Sequence, residues 1–185
     1  MKKSSLTAML CALAFIGTSQ IDVTVAPLGL LWGDLSIGGD LVLSDNISAE
    51  LGIGLGGNSG GDATLGDDYK FNNLNFQGTG KYYFNPSNGG DKFYAGVFLR
   101  YINRNYEYGE TSILSDYQQT RMGGGFLFGH KIASNGGFIF DFNLGFGRAF
   151  MDNTEFTDPD GETSTIDWPD LMIVGKLGIG YRFGG

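Results

Sequence analysis

Apolar and polar residues alternate with a period of two along most of the chain. From Phe138 to Ala149 one face reads Phe138, Phe140, Phe142, Leu144 and Phe146, and the other reads Ile139, Asp141, Asn143, Gly145, Gly147 and Ala149. Ile47 to Gly56 sets Ile47, Ala49, Leu51, Ile53 and Leu55 against Ser48, Glu50, Gly52, Gly54 and Gly56. Leu171 to Phe183 sets Leu171, Ile173, Leu177, Ile179, Tyr181 and Phe183 against Lys176, Gly178, Gly180 and Arg182. Asp34–Leu43, Asn73–Phe84, Lys92–Tyr106 and Gln118–Ile132 follow the same rule. This is the pattern of strands lying between two unlike environments. A first strand over Ile21–Leu31 is less clear, because Pro27 and Gly29 interrupt it.

These segments predict eight strands, each long enough to cross a bilayer at a tilt, and no run of residues after the first segment suits a spanning helix. Their connectors alternate in length. Asp45-Asn46, Asn85–Asp91 and Ala133–Gly136 are turn-like, whereas Gly57–Phe71, Glu107–Tyr117 and Met151–Asp170 are long. Short turns on one side and long loops on the other, with both termini on the turn side, are the pattern of an outer-membrane barrel with periplasmic termini. The connection near Trp32-Gly33 breaks the rule by being short. The predicted fold is therefore all-β: an eight-stranded antiparallel up-and-down transmembrane β-barrel.

The competing fold is a soluble barrel with its Phe faces inside. Its outer faces would meet water and be dense in Lys, Glu and Thr; here they are mostly Gly, Ser and Asn with single charges. Small residues suit the crowded lumen of an eight-stranded barrel. Aromatic girdles are expected at both membrane interfaces. Tyr82, Tyr83, Phe84, Phe93, Tyr94, Tyr181 and Phe183 are assigned to the turn side, and Trp32, Tyr106, Tyr108, Phe150 and Trp168 to the outer side.

Composition agrees. The chain carries 32 Gly, 15 Phe and 9 Tyr but only 4 Pro, a mixture hostile to helix interiors. Residues 1–19 read as a secretory signal peptide: Lys2-Lys3, an apolar run from Leu6 to Ile16, then Gly17-Thr18-Ser19. Cleavage near Ser19/Gln20 leaves the barrel domain at 20–185. The single cysteine, Cys11, falls in the signal, so the mature chain forms no disulfide. Losing Lys2 and Lys3 takes the formal charge from −8 to −10, which argues against nucleic acid as a partner.

The C-terminal run Lys176-Leu177-Gly178-Ile179-Gly180-Tyr181-Arg182-Phe183 is similar to the assembly signal on the last strand of outer-membrane barrels. Lys176, Gly178, Tyr181 and Phe183 match it, while Gly184-Gly185 departs from it, since such chains usually end on the aromatic. Over the mature chain the pattern resembles the OmpA/OmpX-type small barrels, and Pro27–Leu55 is similar to small exported barrels of unassigned function. The resemblance implies outer-membrane lipids and the barrel-assembly machinery as partners, and says more about location than activity.

Candidate chemistry is sparse. His130 is the only histidine; it has lipid-facing parity and lacks the neighbours of a lipid-modifying nucleophile. No zinc cluster or phosphate loop is present, and no cofactor is expected. Asp40, Glu50, Lys81, Arg100, Arg121, Asp141, Lys176 and Arg182 share the inward face. They form either a salt-bridged plug or a narrow ion path, and the small bore favours the plug. In the acidic stretch Met151–Asp170, Asp158, Asp160 and Glu162 are weak candidate oxygen ligands for a hard cation such as calcium, but Pro159 and the lack of full calcium-loop spacing favour a solvated turn. The sequence reads as a non-enzymatic surface barrel serving membrane integrity, surface contact or adhesion, with a possible loop ligand. The alternative is narrow solute passage or a lipid-modifying enzyme.

Overall fold

Each strand of the computed structural model runs antiparallel to its neighbours, and the ring has no free edge. The structure describes residues 20–27, 34–61, 68–108, 116–158, 160–165 and 169–184. The strands are β1 (Gln20–Ala26), β2 (Asp34–Ser44), β3 (Ile47–Gly61), β4 (Asp68–Tyr83), β5 (Lys92–Tyr108), β6 (Asp116–Ala133), β7 (Phe138–Thr157), β8 (Thr163–Thr165) and β9 (Leu171–Phe183). β1 to β7 pair in sequence, and β9 closes the ring between β7 and β1. β8 only extends the β7 hairpin. The ring therefore has the eight strands that the alternation predicts, in up-and-down order.

Following paired residues round the ring from Val23 passes Gly39, Leu51, Gly78, Leu99, Gly124 and Arg148 to reach Leu171. That is ten positions along β9 from Tyr181, the residue Val23 itself faces. This stagger tilts the strands and leaves a bore only wide enough for side chains.

The barrel is inside-out. Leu51, Phe126, Phe142, Leu144, Phe146 and Ile173 are exposed on the outer wall, while Asp22, Asp40, Lys81, Lys131 and Asp141 are buried in the bore. An apolar surface wrapping the whole wall has no counterpart on a monomer in water; it matches hydrocarbon. The bore is not wholly polar. Phe98, Leu127, Ala149, Met172 and Val174 pack inward from β5, β6, β7 and β9, a cluster that fills one side of the lumen.

Four expectations are corrected. First, β1 stops at Ala26 rather than Leu31, where Pro27 can no longer donate to a ladder. Second, part of what reads as loop is strand. β3 runs on to Gly61, β5 to Tyr108 and β7 to Thr157, so that β7 has 20 residues where a crossing needs about 9–11. The Tyr, Thr and Phe residues there favour strand, and each pairs with a neighbour. Third, Tyr83 and Tyr94 are not rim residues; their parity turns them inward and both are fully buried. Fourth, Tyr106 also faces inward, in a ladder of ring contacts that joins Phe71, Tyr106, Tyr117 and Phe156. Tyr82, Phe84, Phe93, Tyr181 and Phe183 do stand outward near the turns, in edge or tilted ring contacts. Phe150 is exposed as the extra residue of a bulge opposite Met122/Gly123, and beyond it Thr154 is buried inward. The proposed signal segment with Cys11, and also Trp32, Pro159, Asp167 and Trp168, lie outside the described residues.

Candidate functional site

The lumen divides into two halves along the barrel axis. In the half nearer the turns, inward positions of neighbouring strands come into register as a layer of charge. Lys81 Nζ lies 2.9 Å from Asp40, 2.5 Å from Glu50 and 3.2 Å from Asp141. Lys131 Nζ lies 2.9 Å from Asp22 and 2.5 Å from Asp40. Lys176 pairs with Glu50 and, at 3.2 Å, with Asp141. Arg182 grips both oxygens of Asp22, Nε to Oδ1 at 2.6 Å and Nη2 to Oδ2 at 2.8 Å. Four carboxylates meet four cations, so the layer is neutral as a whole.

Two tyrosines complete it. Tyr94 donates its hydroxyl to Asp141 Oδ1 at 2.7 Å, and Lys81 Nζ sits 4.9 Å from the centre of the same ring. Lys131 Nζ is 5.3 Å from the Tyr83 ring, which lies 5.1 Å from that of Tyr94. Ammonium groups buried in the bore thus meet aromatic faces as well as carboxylates. Gly129, paired with Tyr94, makes room for it: a Cβ there would run into the ring.

Below the layer, the β4–β5 turn folds across the mouth. Gly90 N–H donates to Asp45 O at 2.8 Å, and Asn88 Nδ2 to Ala133 O at 3.2 Å. Ser87 and Asn88 N–H groups both donate to the buried Asp91 Oδ1. Gly89 and Gly90, at φ +60° and +55°, supply the left-handed backbone this needs. Arg182 also donates to the carbonyls of Asn88 and Gly90, so one guanidinium ties the turn to the charge layer.

The half nearer the loops is built differently. Arg121 lies 3.1 Å from Asp152 and donates to the carbonyls of Pro169 and Leu171. Asp34 Oδ2 accepts from Asn73 Nδ2 at 2.8 Å and from Asn75 Nδ2 at 3.4 Å. Arg100 Nε is sealed from solvent without a hydrogen-bond partner among the described residues. Beside it a cavity of about 80 Å³ is lined by Ser36, Asn75, Gln77, Thr79, Arg100 and Lys176, among others.

Of the expected lumen residues, Asp40, Glu50, Lys81, Asp141, Lys176 and Arg182 converge as one network. Arg100 and Arg121 do not join it. Asp22 and Lys131 also belong to the network, beyond the residues expected there. Lys131 has the right parity, and Asp22 alternates with outward Val23 and Val25, but the poor pattern beyond Ala26 hid that strand. Of the four assembly-signal matches, Tyr181 and Phe183 face outward, their rings 5.2 Å apart, while Lys176 points into the lumen. His130 faces outward, paired with Phe93 and Phe142. Asp158, Asp160 and Glu162 lie in the β7–β8 turn, where Asp158 N–H donates to Glu162 O. Among the described residues no group of three His, Cys, Asp or Glu can hold a metal.

No family model and no curated protein sequence matches the chain. Among solved structures it is similar to CarO from Acinetobacter baumannii, with a TM-score of 0.56 and 11% identity over 89% of this chain and 97% of that one. It is also similar to a major outer membrane protein from Thermus thermophilus, with a TM-score of 0.45 and 15% identity over 90% and 100%. At such identities the likeness is one of fold, that of an antiparallel β-barrel, which here is a closed ring of eight strands with an apolar outer wall.

Proposed function

We propose that the chain is a non-enzymatic integral outer-membrane protein with periplasmic termini. Its closed barrel strengthens the envelope, and its acidic outer loops serve surface contact or adhesion. The observation that carries this reading is the neutral layer of four carboxylates and four cations across the bore, with the β4–β5 turn folded beneath it. Charges matched and buried this closely leave no continuous water path through the layer. The partners are outer-membrane lipids, met by the apolar wall, and the barrel-assembly machinery, met by the last strand.

The test is conductance in planar bilayers, alongside the phenotype of a deletion strain. We expect no discrete current steps from the intact barrel, and increased sensitivity to bile salts or reduced surface attachment in the strain. Reproducible single-channel steps would replace this reading with solute passage. Altered acylation of outer-leaflet lipids in the strain would replace it with an enzyme.

A further inference from the structure

We propose that the loop-side half of the lumen holds a binding site for a small oxoanion, a carboxylate or a phosphate, with Arg100 as the recognition group. This goes beyond the structural role proposed above and does not depend on it.

Three observations converge. The first is charge. The turn-side layer is balanced, but above it Asp34 and Asp152 stand with Arg100, Arg104 and Arg121, an excess of one cation among the described residues. Arg121 is matched to Asp152. Asp34 spends one oxygen on Asn73 and Asn75, and no carboxylate of the described residues lies within ion-pair distance of Arg100.

The second is the state of Arg100 itself. Its Nε–H is shut off from water and donates to nothing among the described residues. A buried donor on a charged group left unmade is costly, of order 1–3 kcal/mol or more, so the position favours a ligand that accepts from it. The planar fork presents parallel N–H groups that match two oxygens of one carboxylate or phosphate.

The third is space. The adjoining cavity of about 80 Å³ exceeds the roughly 10–15 Å³ that one water requires, and takes a compact anion with its remaining waters. Its wall supplies further donors in the Asn75 and Gln77 amides and the Thr79 hydroxyl, and it also carries the Glu50 carboxylate, which Lys81 and Lys176 hold. Gln77, directly opposite Arg100 in the β4–β5 pairing, uses its amide on Thr79 at 3.2 Å, which holds that wall in place.

The experiment is a titration of the full-length barrel, refolded in detergent micelles, followed by NMR of arginine Nε–H and Asn and Gln side-chain amides. Sodium formate, phosphate and chloride are each added at constant ionic strength kept with a bulky sulfonate. We expect saturable shifts of Arg100 Nε–H and the Asn75 amide with formate, with phosphate or with both, the effective anion naming the source. Arg100→Gln should abolish saturation. Arg100→Lys, which keeps the charge but not the fork, should weaken it at least tenfold. Arg148→Gln, on the exposed outer rim, should leave it unchanged. Heat-dependent gel mobility reports that each variant is folded, and Arg100→Lys carries the comparison if Arg100→Gln is not. Absence of saturation in the wild type up to 100 mM, an equal response to chloride, or saturation that survives in the folded Arg100 variants would each overturn the proposal.

Discussion

At the turn side of the lumen each of the eight charges of the layer has an opposite partner within 3.2 Å, shared so that Lys81 alone answers to Asp40, Glu50 and Asp141. At the loop side the pairs are separate, Arg121 with Asp152 and Asp34 with two amides, and among the described residues Arg100 and Arg104 are left without an ion pair. Both halves are lined from the same strands, by residues of the same parity. The difference lies in how the side chains mesh. Lysine stems reach the axis, so one ammonium touches carboxylates from three strands and the layer behaves as a unit. The loop-side arginines belong to β5 and β6 alone, on one side of the bore. The turn side is therefore built to seal by shared ion pairs, while the loop side keeps a guanidinium whose buried Nε–H has no partner among the described residues.

The sharpest way to break this contrast is to strip the hub of the sealed layer. Lys81→Ala leaves three buried carboxylates without their shared cation, and removing one partner of a buried pair costs about 3–5 kcal/mol. Urea titration of folding into lipid vesicles measures it. A loss below about 1 kcal/mol would mean that water fills the layer and that the seal is not a unit.

The second test moves across the wall. Phe142 faces lipid on β7 beside inward Asp141, and Phe142→Arg should cost about 2–4 kcal/mol in the same titration. From sequence alone, Asp141→Asn is expected to be mild unless the residue is paired. It is paired with Lys81, Lys176 and Tyr94, so its cost should now match or exceed that of Phe142→Arg. A cost below about 1 kcal/mol for Phe142→Arg, well under that of a charge placed in hydrocarbon, would reverse the facing of the strand.

The third prediction concerns the outer edge of the sealed end. Tyr181 and Phe183 form part of its girdle, and both pair with β1 at the closure. Tyr181→Ala with Phe183→Ala should lower the amount of heat-modifiable barrel in the outer membrane of cells. Refolding of the purified variant in detergent should remain near normal if the loss is one of recognition by the assembly machinery. Failure in both settings would put the cause in the girdle instead.

Period-two alternation makes the fold legible: strand number, order, facing and closure all follow from it. Where it failed, the reasons are local. Pro27 ends β1 early. Tyr83 and Tyr94 lie in aromatic-rich stretches at the turn end, where chemistry suggests a rim and only parity reveals the bore. The strand extensions over Gly57–Gly61 and Met151–Thr157 carry polar residues on both faces, since beyond the hydrocarbon neither face needs to be apolar, so the pattern vanishes while the pairing persists. Six members of the charge layer were legible from parity because a charge on the inward face of a tight barrel has few places to go. Which of them meet depends on the ten-residue stagger, and no single strand encodes that. This is why Arg121 and Lys176, both inward, end in different halves.

The smallest expected effect tests the open half directly. Arg104 has inward parity, facing Asn73 across the β4–β5 pairing and Gln119 across the β5–β6 pairing. It makes no ion pair with a described residue, and its nearest charged company includes Arg100, a like charge. Arg104→Gln removes that repulsion, keeps a polar side chain and strands no carboxylate, so stability should change by no more than about 0.5 kcal/mol. If anything the barrel should gain, because two unmatched cations in one narrow space cost more than one. The same variant should still fold and show unchanged heat-dependent gel mobility, in contrast to Lys81→Ala, although both remove one inward cation. A loss of about 2 kcal/mol or more, the scale of a broken buried pair, would show that Arg104 answers to an acid beyond the described residues. The loop side would then be as tightly matched as the turn side, and the difference between the two halves would disappear.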